Sequence, residues 1–590
     1  LVHKAAGAAS ITSLRAVWNA AAVVSFGLAA LVGGAGRAAD LDDELKVVEP
    51  RRGEPIPGAL FICGGGRLPE AALGKFVDLA GGEQARLVLI TTASETADSP
   101  EVEPRIYPFR QLKVSDLKLL HTRSRETANA PEFCRPLEQA TGVWIIGGHQ
   151  HRLTDAYLDT RVEKALRGVL ERGGIIGGTS AGAAVMSEVM IKGGNPEPEL
   201  GRGFGLLPGT LIDQHFLKRR RQDRLIAATA GFPQLVGLGI DEGTILLVRG
   251  RKLTVLPESE SQVVAVFGPC KEMPAKTEVL PAGAEADLLA LSRAAAKRVK
   301  PRVDAHNVRP MLPKGTLVLV GGGNVPEEAA SRFVAAAGGA EALIVVITTA
   351  HGDDPPEDDA ELEWLTAAGA ARITRLHVRN CSEAADPNLA KVLKKAGGVW
   401  FVGGRQWRLV DAFLDTPVES LLGELLTRDG VIGGNAAGAS ILASYLVRGS
   451  PLSNSQIMAD GYDDGFGFLR GAAVDPYFSQ RNRHADMKVL KRARPQLLGL
   501  GIDEGTAVVV RGRELEVFGR HRVAVFDAEE VDGSQRGYKV LLAGDRYDLH
   551  EKERVGSTRG DTDEPETLAS QSEAADAEID SEASPPVVCE

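Results

Sequence analysis

The chain states much of its sequence twice. Residues 60–94, LFICGGGRLPEAALGKFVDLAGGEQARLVLITTAS, match residues 317–351, LVLVGGGNVPEEAASRFVAAAGGAEALIVVITTAH, without a gap. Further on, GVWIIGGHQHRLTDAYLDTRVE (142–163) matches GVWFVGGRQWRLVDAFLDTPVE (398–419), and LVGLGIDEGTILLVRGRKLTV (235–255) matches LLGLGIDEGTAVVVRGRELEV (497–517). A period of about 256 residues is far longer than any solenoid unit, so what repeats is a whole domain. A total of 590 residues also exceeds one ordinary core. Whatever one copy folds into, the chain folds into twice.

Each copy alternates short apolar β-rich runs with helical stretches: LVLITT follows the helix-like EAALGKFVDLA, and VWIIGG precedes RLTDAYLDTRVEKALRGVLERGG. That alternation predicts an α/β fold with a mostly parallel sheet flanked by helices. Glycines cluster just after the runs (Gly64 to Gly66, Gly147 and Gly148, Gly177 and Gly178), where an open α/β sheet gathers its ligand-binding loops. The expected organisation is a first domain over 54–275, a linker over 276–312 and a second domain over 313–545. The linker holds a helix over 284–300 (AEADLLALSRAAAKRVK) followed by a Pro-punctuated segment.

The two ends read differently. Lys4 and Arg15 precede an apolar stretch over residues 16–34, and Gly36-Arg37-Ala38 supplies small residues for cleavage, so residues 1–38 are expected to be an export signal rather than a membrane anchor. The expected location is therefore the periplasm or beyond. Residues 546–590 are expected to be an acidic, disordered tail, because their polar C-terminal run has too little apolar surface to order itself. That tail supplies part of the net charge of −11, and a chain so charged gives no support to nucleic-acid binding. The five cysteines show no C-x-x-C spacing, and His149 with His151 lacks a third ligand, so no metal site is expected.

Chemistry concentrates in the first copy. Ile175 and Ile176 end an apolar run, and Gly178-Thr179-Ser180-Ala181-Gly182 follows as G-x-S-x-G, a tight turn that lifts a serine hydroxyl out of a sheet. The N–H of Ala181 then points where an oxyanion forms, and Gly148 is the second oxyanion candidate. A serine needs a base, and LIDQHFLKRRRQDRL (211–225) offers His215 with Arg219, Arg221 and Arg224 at +4, +6 and +9. Glu242, after an apolar strand in GLGIDEGT, is placed to orient the imidazole, with Asp241 and Asp213 as competitors. The chain order Ser, His, acid is not that of α/β-hydrolases, so G-x-S-x-G does not assign that fold.

CGGG, IIGGHQHRL, GGTSAGAAVMS, DQHF with its spaced arginines, and GIDEGT together resemble the cyanophycinase family of serine peptidases, the group that also contains aspartyl dipeptidase. The resemblance covers residues 57–270. It implies an α/β sandwich related to class I glutamine amidotransferases, flavodoxin-like in its sheet, with no metal or cofactor. It implies Ser180 as nucleophile, His215 as base and then acid, and Glu242 as orienting carboxylate. It further implies Gln150, Asp213, Gln214, Arg219, Arg221 and Arg224 around the substrate. That substrate would be cyanophycin, a polyaspartate carrying arginine on each β-carboxyl, cut to β-Asp-Arg dipeptides; three arginines would suit its free carboxylates through paired hydrogen bonds. The alternatives are the same chemistry on other acidic or isoaspartyl peptides, or a non-catalytic envelope protein that binds peptides.

In the second copy Ala436 stands for Ser180 and Tyr477 for His215, while Asp486 stands for Arg224; Glu504, Gln406, Arg481 and Arg483 remain. Serine and base act as a unit, so this copy is expected to be inactive. Its expected use is structural, as a pseudo-dimer partner within one chain, or as a residual binding site.

Overall fold

The computed structural model of the protein describes residues 54–302, 308–356, 360–527 and 537–558. The export segment and residues 559–590 of the expected tail lie outside them. Among the described residues no helix is long and apolar enough to cross a membrane.

The first repeat is built on strands β1 (Ile56–Cys63), β2 (Arg86–Ile90), β3 (Asp116–Leu120), β4 (Gly142–Ile145), β5 (Ile175–Thr179), β6 (Val189–Gly193), β7 (Glu199–Arg202), β8 (Thr210–Gln214), β9 (Val236–Ile240), β10 (Ile245–Gly250), β11 (Lys252–Val255), β12 (Val263–Phe267), β13 (Lys276–Leu280) and β14 (Glu285–Asp287). An eight-stranded sheet runs β14-β11-β10-β1-β5-β4-β2-β3, and a four-stranded sheet runs β13-β12-β9-β8. From β1 through β3 the pairs are parallel, and the edge beyond β1 turns antiparallel at β10. Strand β1 shows why its sequence is apolar without alternation: Leu60 and Ile62 enter one core, Phe61 and Cys63 the other. Both faces are covered, as a parallel sheet requires. The helix Arg161–Glu171 puts Val162, Leu166 and Val169 into the first core, and Ala72–Leu79 puts Phe76 against Phe61 and Trp144 in the second.

The second repeat follows the same plan with β15 (Thr316–Val320), β16 (Leu343–Ile347), β17 (Arg372–Leu376), β18 (Gly398–Phe401), β19 (Val431–Asn435), β20 (Ala443–Tyr445), β21 (Leu469–Pro476), β22 (Leu498–Ile502), β23 (Thr506–Arg511), β24 (Glu514–Gly519), β25 (Arg522–Phe526), β26 (Lys539–Leu542), β27 (Asp545–Asp548) and β28 (Glu553–Ser557). Its sheets run β17-β16-β18-β19-β15-β23-β24-β27-β28 and β20-β21-β22-β25-β26.

Two expected boundaries move. The linker was to begin at residue 276, but β13 pairs with β12 and β14 with β11, so both strands complete sheets of the first repeat. Only then does the helix Leu288–Val299 begin, with the Asp287 carboxylate accepting from the Ala290 N–H as its cap. The tail was to begin at residue 546, but β27 and β28 form a hairpin on the edge of the second main sheet. Tyr547 is the reason: its ring is fully buried and its hydroxyl donates to Asp527.

The helix Leu288–Val299 and the β10–β11 turn meet the second repeat through opposite charge. Arg251 donates to Asp411 at 2.6 Å and to Tyr462, and its guanidinium lies over Trp407. Arg293 reaches Asp411 at 3.0 Å, and Lys297 bridges Asp463 and Asp464 at 3.0 and 2.9 Å.

Candidate functional site

In the first repeat, the C-terminal ends of β1, β4, β5, β8 and β9 deliver the candidate residues, so the site draws on both sheets. Ser180 follows β5 and opens the short helix Ala181–Ala184 with φ 53° and ψ −109°, a conformation that a side-chain-bearing residue holds only when its surroundings impose it. Its N–H donates to the Cys63 carbonyl at 3.1 Å, fastening the turn to β1. His215 follows β8, also at positive φ (50°), and its N–H donates to the Gly64 carbonyl at 2.7 Å.

The three side chains line up. Ser180 Oγ is 2.9 Å from His215 Nε2, and His215 Nδ1 is 2.7 Å from Glu242 Oε1. With Nδ1–H donating to the carboxylate, Nε2 is left as acceptor for the serine hydroxyl. Burial lowers the His215 pKa below its ordinary value; the Glu242 hydrogen bond opposes this, and the charge of Arg219 adds to it. A neutral imidazole near neutral pH is what a general base requires.

The glycines after β1 shape this line. A Cβ on Gly65 would stand 2.3 Å from His215 Cε1, and Gly65 has φ +104°, so no other residue leaves the ring its seat. The Gly243 N–H donates to the Gly65 carbonyl at 3.0 Å, which brings the end of β9, and Glu242 with it, to the same place. Asp241, a competitor for the orienting role, instead accepts the N–H groups of Leu217 and Lys218 at 3.0 and 2.9 Å and the Ser261 hydroxyl. Of the oxyanion candidates, Ala181 sits directly after Ser180, and Gly148 follows Gly147, on which a Cβ would come within 3.3 Å of Ser180 Cβ.

The residues expected around substrate divide. Asp213 has no exposed surface and both its oxygens are held by Arg224, through Nε at 3.0 Å and through Nη2. It is therefore a counter-ion to the arginines and neither the orienting acid nor a substrate contact. Arg224 is correspondingly spent, on Asp213 and on the Gly194 carbonyl at 2.8 Å, and is not free to clamp a carboxylate. Arg221 donates to the Gln214 carbonyl at 2.7 Å and lies 3.5 Å from Asp213. Burial and the neighbouring Arg224 bring its pKa down to about 10. Arg219 is the exposed arginine of the three. Gln150 is buried, with Nε2 donating to the Ile191 and Lys192 carbonyls at 2.7 and 3.1 Å, so it ties the β6–β7 hairpin to the site. Gln214 is buried with Oε1 unpaired.

The second repeat keeps the frame. Ala436 holds φ 49° and ψ −111°, and Tyr477 holds φ 48° with its N–H on the Gly321 carbonyl at 2.6 Å. The Tyr477 hydroxyl accepts from the Gly323 N–H at 3.2 Å, and Arg481 stacks over its ring at 4.3 Å. Gln406 repeats the part of Gln150, donating to the Val447 carbonyl at 3.5 Å, while Glu504 is exposed. Asp475, in the place of Asp213, is buried between Arg448 at 3.0 Å and Arg483 at 2.6 Å, and Arg448 also reaches Asp486 at 2.7 Å. Arg448 occupies the position of Lys192, so that position stays cationic while the position of Arg224 becomes the carboxylate of Asp486, which in this copy pairs with Arg448. Comparing the copies at both positions together carries that signal; reading Asp486 alone does not.

Peptidase family S51 matches this chain at residues 60–256 and again at 317–518. A cyanophycinase of Synechococcus elongatus is 39% identical over 179 residues, which are 29% of this chain and 55% of that protein. The match thus spans little more than half of that relative's length. A cyanophycinase of Trichormus variabilis is 33% identical over 218 residues, covering 34% of this chain and 71% of the relative. The crystal structure of a peptidase from an acI-B1 Actinobacterium is 22% identical, with a TM-score of 0.32 over 40% of this chain and 97% of that one.

Proposed function

The chain belongs to peptidase family S51 and is a serine-type peptidase, and from that premise we propose that its first repeat alone cleaves, through Ser180, His215 and Glu242. The observation that carries this is the unbroken line from Ser180 Oγ to His215 to Glu242 at 2.9 and 2.7 Å. His215 Nε2 takes the hydroxyl proton as Oγ attacks the peptide carbonyl, and Glu242 stabilises the imidazolium that forms. The carbonyl oxygen, now an anion, is met by the N–H groups of Ala181 and Gly148. When the tetrahedral species collapses, the C–N bond breaks, His215 gives its proton to the leaving amine, and Ser180 is left as an ester. A water that loses its proton to His215 then hydrolyses the ester. The backbone strain at Ser180 keeps Oγ aimed at the carbonyl.

The substrate in this reading is an aspartyl peptide of the cyanophycin type, released as β-Asp-Arg. Two relatives named cyanophycinase and the exposed charge of Arg219, backed by Arg221, support it. The second repeat, without hydroxyl or imidazole, acts as a fused partner that packs against the first. The apolar N-terminal stretch makes the protein an exported one.

Labelling with a fluorophosphonate followed by peptide mass spectrometry tests the chemistry: one adduct per chain, on Ser180, and none in Ser180→Ala. Labelling elsewhere, or none, overturns it. Incubation with cyanophycin tests the substrate, and absence of β-Asp-Arg from a protein that labels at Ser180 replaces cyanophycin with another acidic or isoaspartyl peptide.

A further inference from the structure

Arg105 stands outside every motif, yet it reaches the site. It lies on the helix Glu103–Arg110, and its Nη1 donates to the Gly147 carbonyl at 2.9 Å. That helix is fixed to the strand that carries the loop: Ile106 and Phe109 are buried, and Phe109 packs at 5.5 Å on Trp144 of β4, three residues before Gly147.

The consequence follows from the geometry of one peptide plane. Across a trans peptide the carbonyl of Gly147 and the N–H of Gly148 point in opposite directions. A cation bound to the carbonyl therefore turns the N–H away from itself, and polarises it by drawing electron density toward the carbonyl oxygen. Gly147 lies against Ser180, where an added Cβ would meet Ser180 Cβ at 3.3 Å. The next residue is pinned as well: the His149 N–H donates to the Ala93 carbonyl at 2.8 Å, and a Cβ on Gly148 would lie 2.1 Å from that same oxygen. Held at both ends, the 147–148 peptide has one orientation.

From this we infer that Arg105 is a positioning residue for the oxyanion site, acting through the Gly147–Gly148 peptide. The second repeat provides an internal contrast. Its corresponding helix, AELEWLTA (Ala360–Ala367), holds no cation, so this arginine is absent from the copy that also lacks serine and histidine. An aromatic contact is kept there, as Trp364 against the buried Trp400 at 4.6 Å, which separates the helix's packing role from its charge.

The inference rests on Ser180 being the nucleophile, and the experiment separates the two. Fluorophosphonate labelling of Ser180 is measured over reagent concentration and pH for the full chain, Arg105→Ala and Arg105→Lys. The phosphoryl oxygen of the reagent occupies the oxyanion position during attack, so the maximal labelling rate reports that site. Arg105→Ala is expected to lower this rate about tenfold, less than the 10²–10³ for removal of a whole oxyanion donor, because the Gly148 N–H itself remains. The reagent's half-saturating concentration, the acid limb of the pH profile and the Tm are expected to stay as in the parent. Arg105→Lys is expected to recover most of the rate, since a single carbonyl is contacted. An unchanged rate in Arg105→Ala overturns the inference, as does a loss carried by half-saturation, which would make Arg105 a ligand contact. A shifted acid limb overturns it too, by placing the effect on His215. A parent protein without adduct on Ser180 overturns the underlying reading and this one with it.

Discussion

The charge balance around the second site decides what that copy can bind. Around the first site stand Arg219, Arg221 and Arg224 against Asp213 and Glu242, a surplus of one positive charge. Around the second stand Arg448, Arg481 and Arg483 against Asp475, Asp486 and Glu504, with no surplus. For a ligand carboxylate about 8 Å from the charged groups, with an effective dielectric of about 20, each missing unit charge costs about 2 kcal/mol. That one charge corresponds to roughly a thirtyfold difference in affinity. The perturbation that exposes this is Ser180→Ala, which stops turnover while leaving both charge sets intact. Isothermal titration of that variant with an oligomer of β-Asp-Arg units should give one site per chain, weakening steeply with salt. Arg219→Ala should weaken that site, and Arg481→Ala should leave the titration unchanged. Two sites of comparable affinity would refute the electrostatic reasoning, because the local charge balance would then not govern binding.

Because the His215 pKa is lowered and the base must be neutral, Ser180 labelling should fall on acidification with a midpoint below 6.5; a midpoint above 6.5 refutes the burial argument. Glu242→Gln removes the hydrogen bond that raises this pKa and should move the midpoint lower, while Arg219→Ala removes a charge that lowers it and should move the midpoint higher. Gly65→Ala places a methyl 2.3 Å from His215 Cε1 at a φ of +104°, and should cut the labelling rate about 10³-fold with a small fall in Tm, since triad members act as a unit. Asp213→Asn leaves two buried arginines without their counter-ion and should cost about 3–5 kcal/mol in urea unfolding, with Arg224→Met recovering much of it in the double variant; a loss below about 1 kcal/mol would show that the pair is not what holds β8 to its helix.

The reach of the sequence can be judged residue by residue. Ser180 and His215 stood out in G-x-S-x-G and DQHF, and the second copy, which keeps the glycines and apolar runs, substitutes Ala436 and Tyr477; Glu242, kept there as Glu504, was set apart from Asp241 and Asp213 by the family resemblance. The main-sheet strands were readable for a local reason, since a run buried on both faces, such as β1, is apolar throughout. The fate of the arginines was not readable. At +4, +6 and +9 from His215 they look equivalent, yet Arg224 is turned inward by Asp213, eleven positions earlier on β8, while Arg219 stays in solvent. Spacing along a chain does not reveal which cation finds a buried partner. Arg105 was hidden for the same reason: its partner is a backbone carbonyl, and a carbonyl leaves no mark in sequence. The hairpin of β27 and β28 was lost in the acidic composition that follows it, although Tyr547 and Leu549 are both fully buried.

Ala436 separates what the fold needs from what the reaction needs. A non-glycine residue at φ 49° and ψ −111° carries a cost of about 1–3 kcal/mol, and in this copy no hydroxyl uses the geometry. The strain persists because the crossing from β19 into the helix Ala437–Ser440 leaves no room for another path. A Cβ on Gly434 would come within 2.3 Å of the Gly438 backbone, and one on Gly438 within 2.2 Å of the Phe401 carbonyl. The turn is thus imposed by the approach of strand, helix and neighbouring strand, and it exists before any serine is placed in it. Exchange of Ser180 for Ala436 and of His215 for Tyr477 therefore leaves the backbone at these two positions as it is in the first copy. By the same argument, the positive φ at Ser180 is no evidence of a working nucleophile on its own. The evidence lies in what differs between two superimposable turns: the hydroxyl, the imidazole held at 2.7 Å by Glu242, and the surplus of positive charge around them.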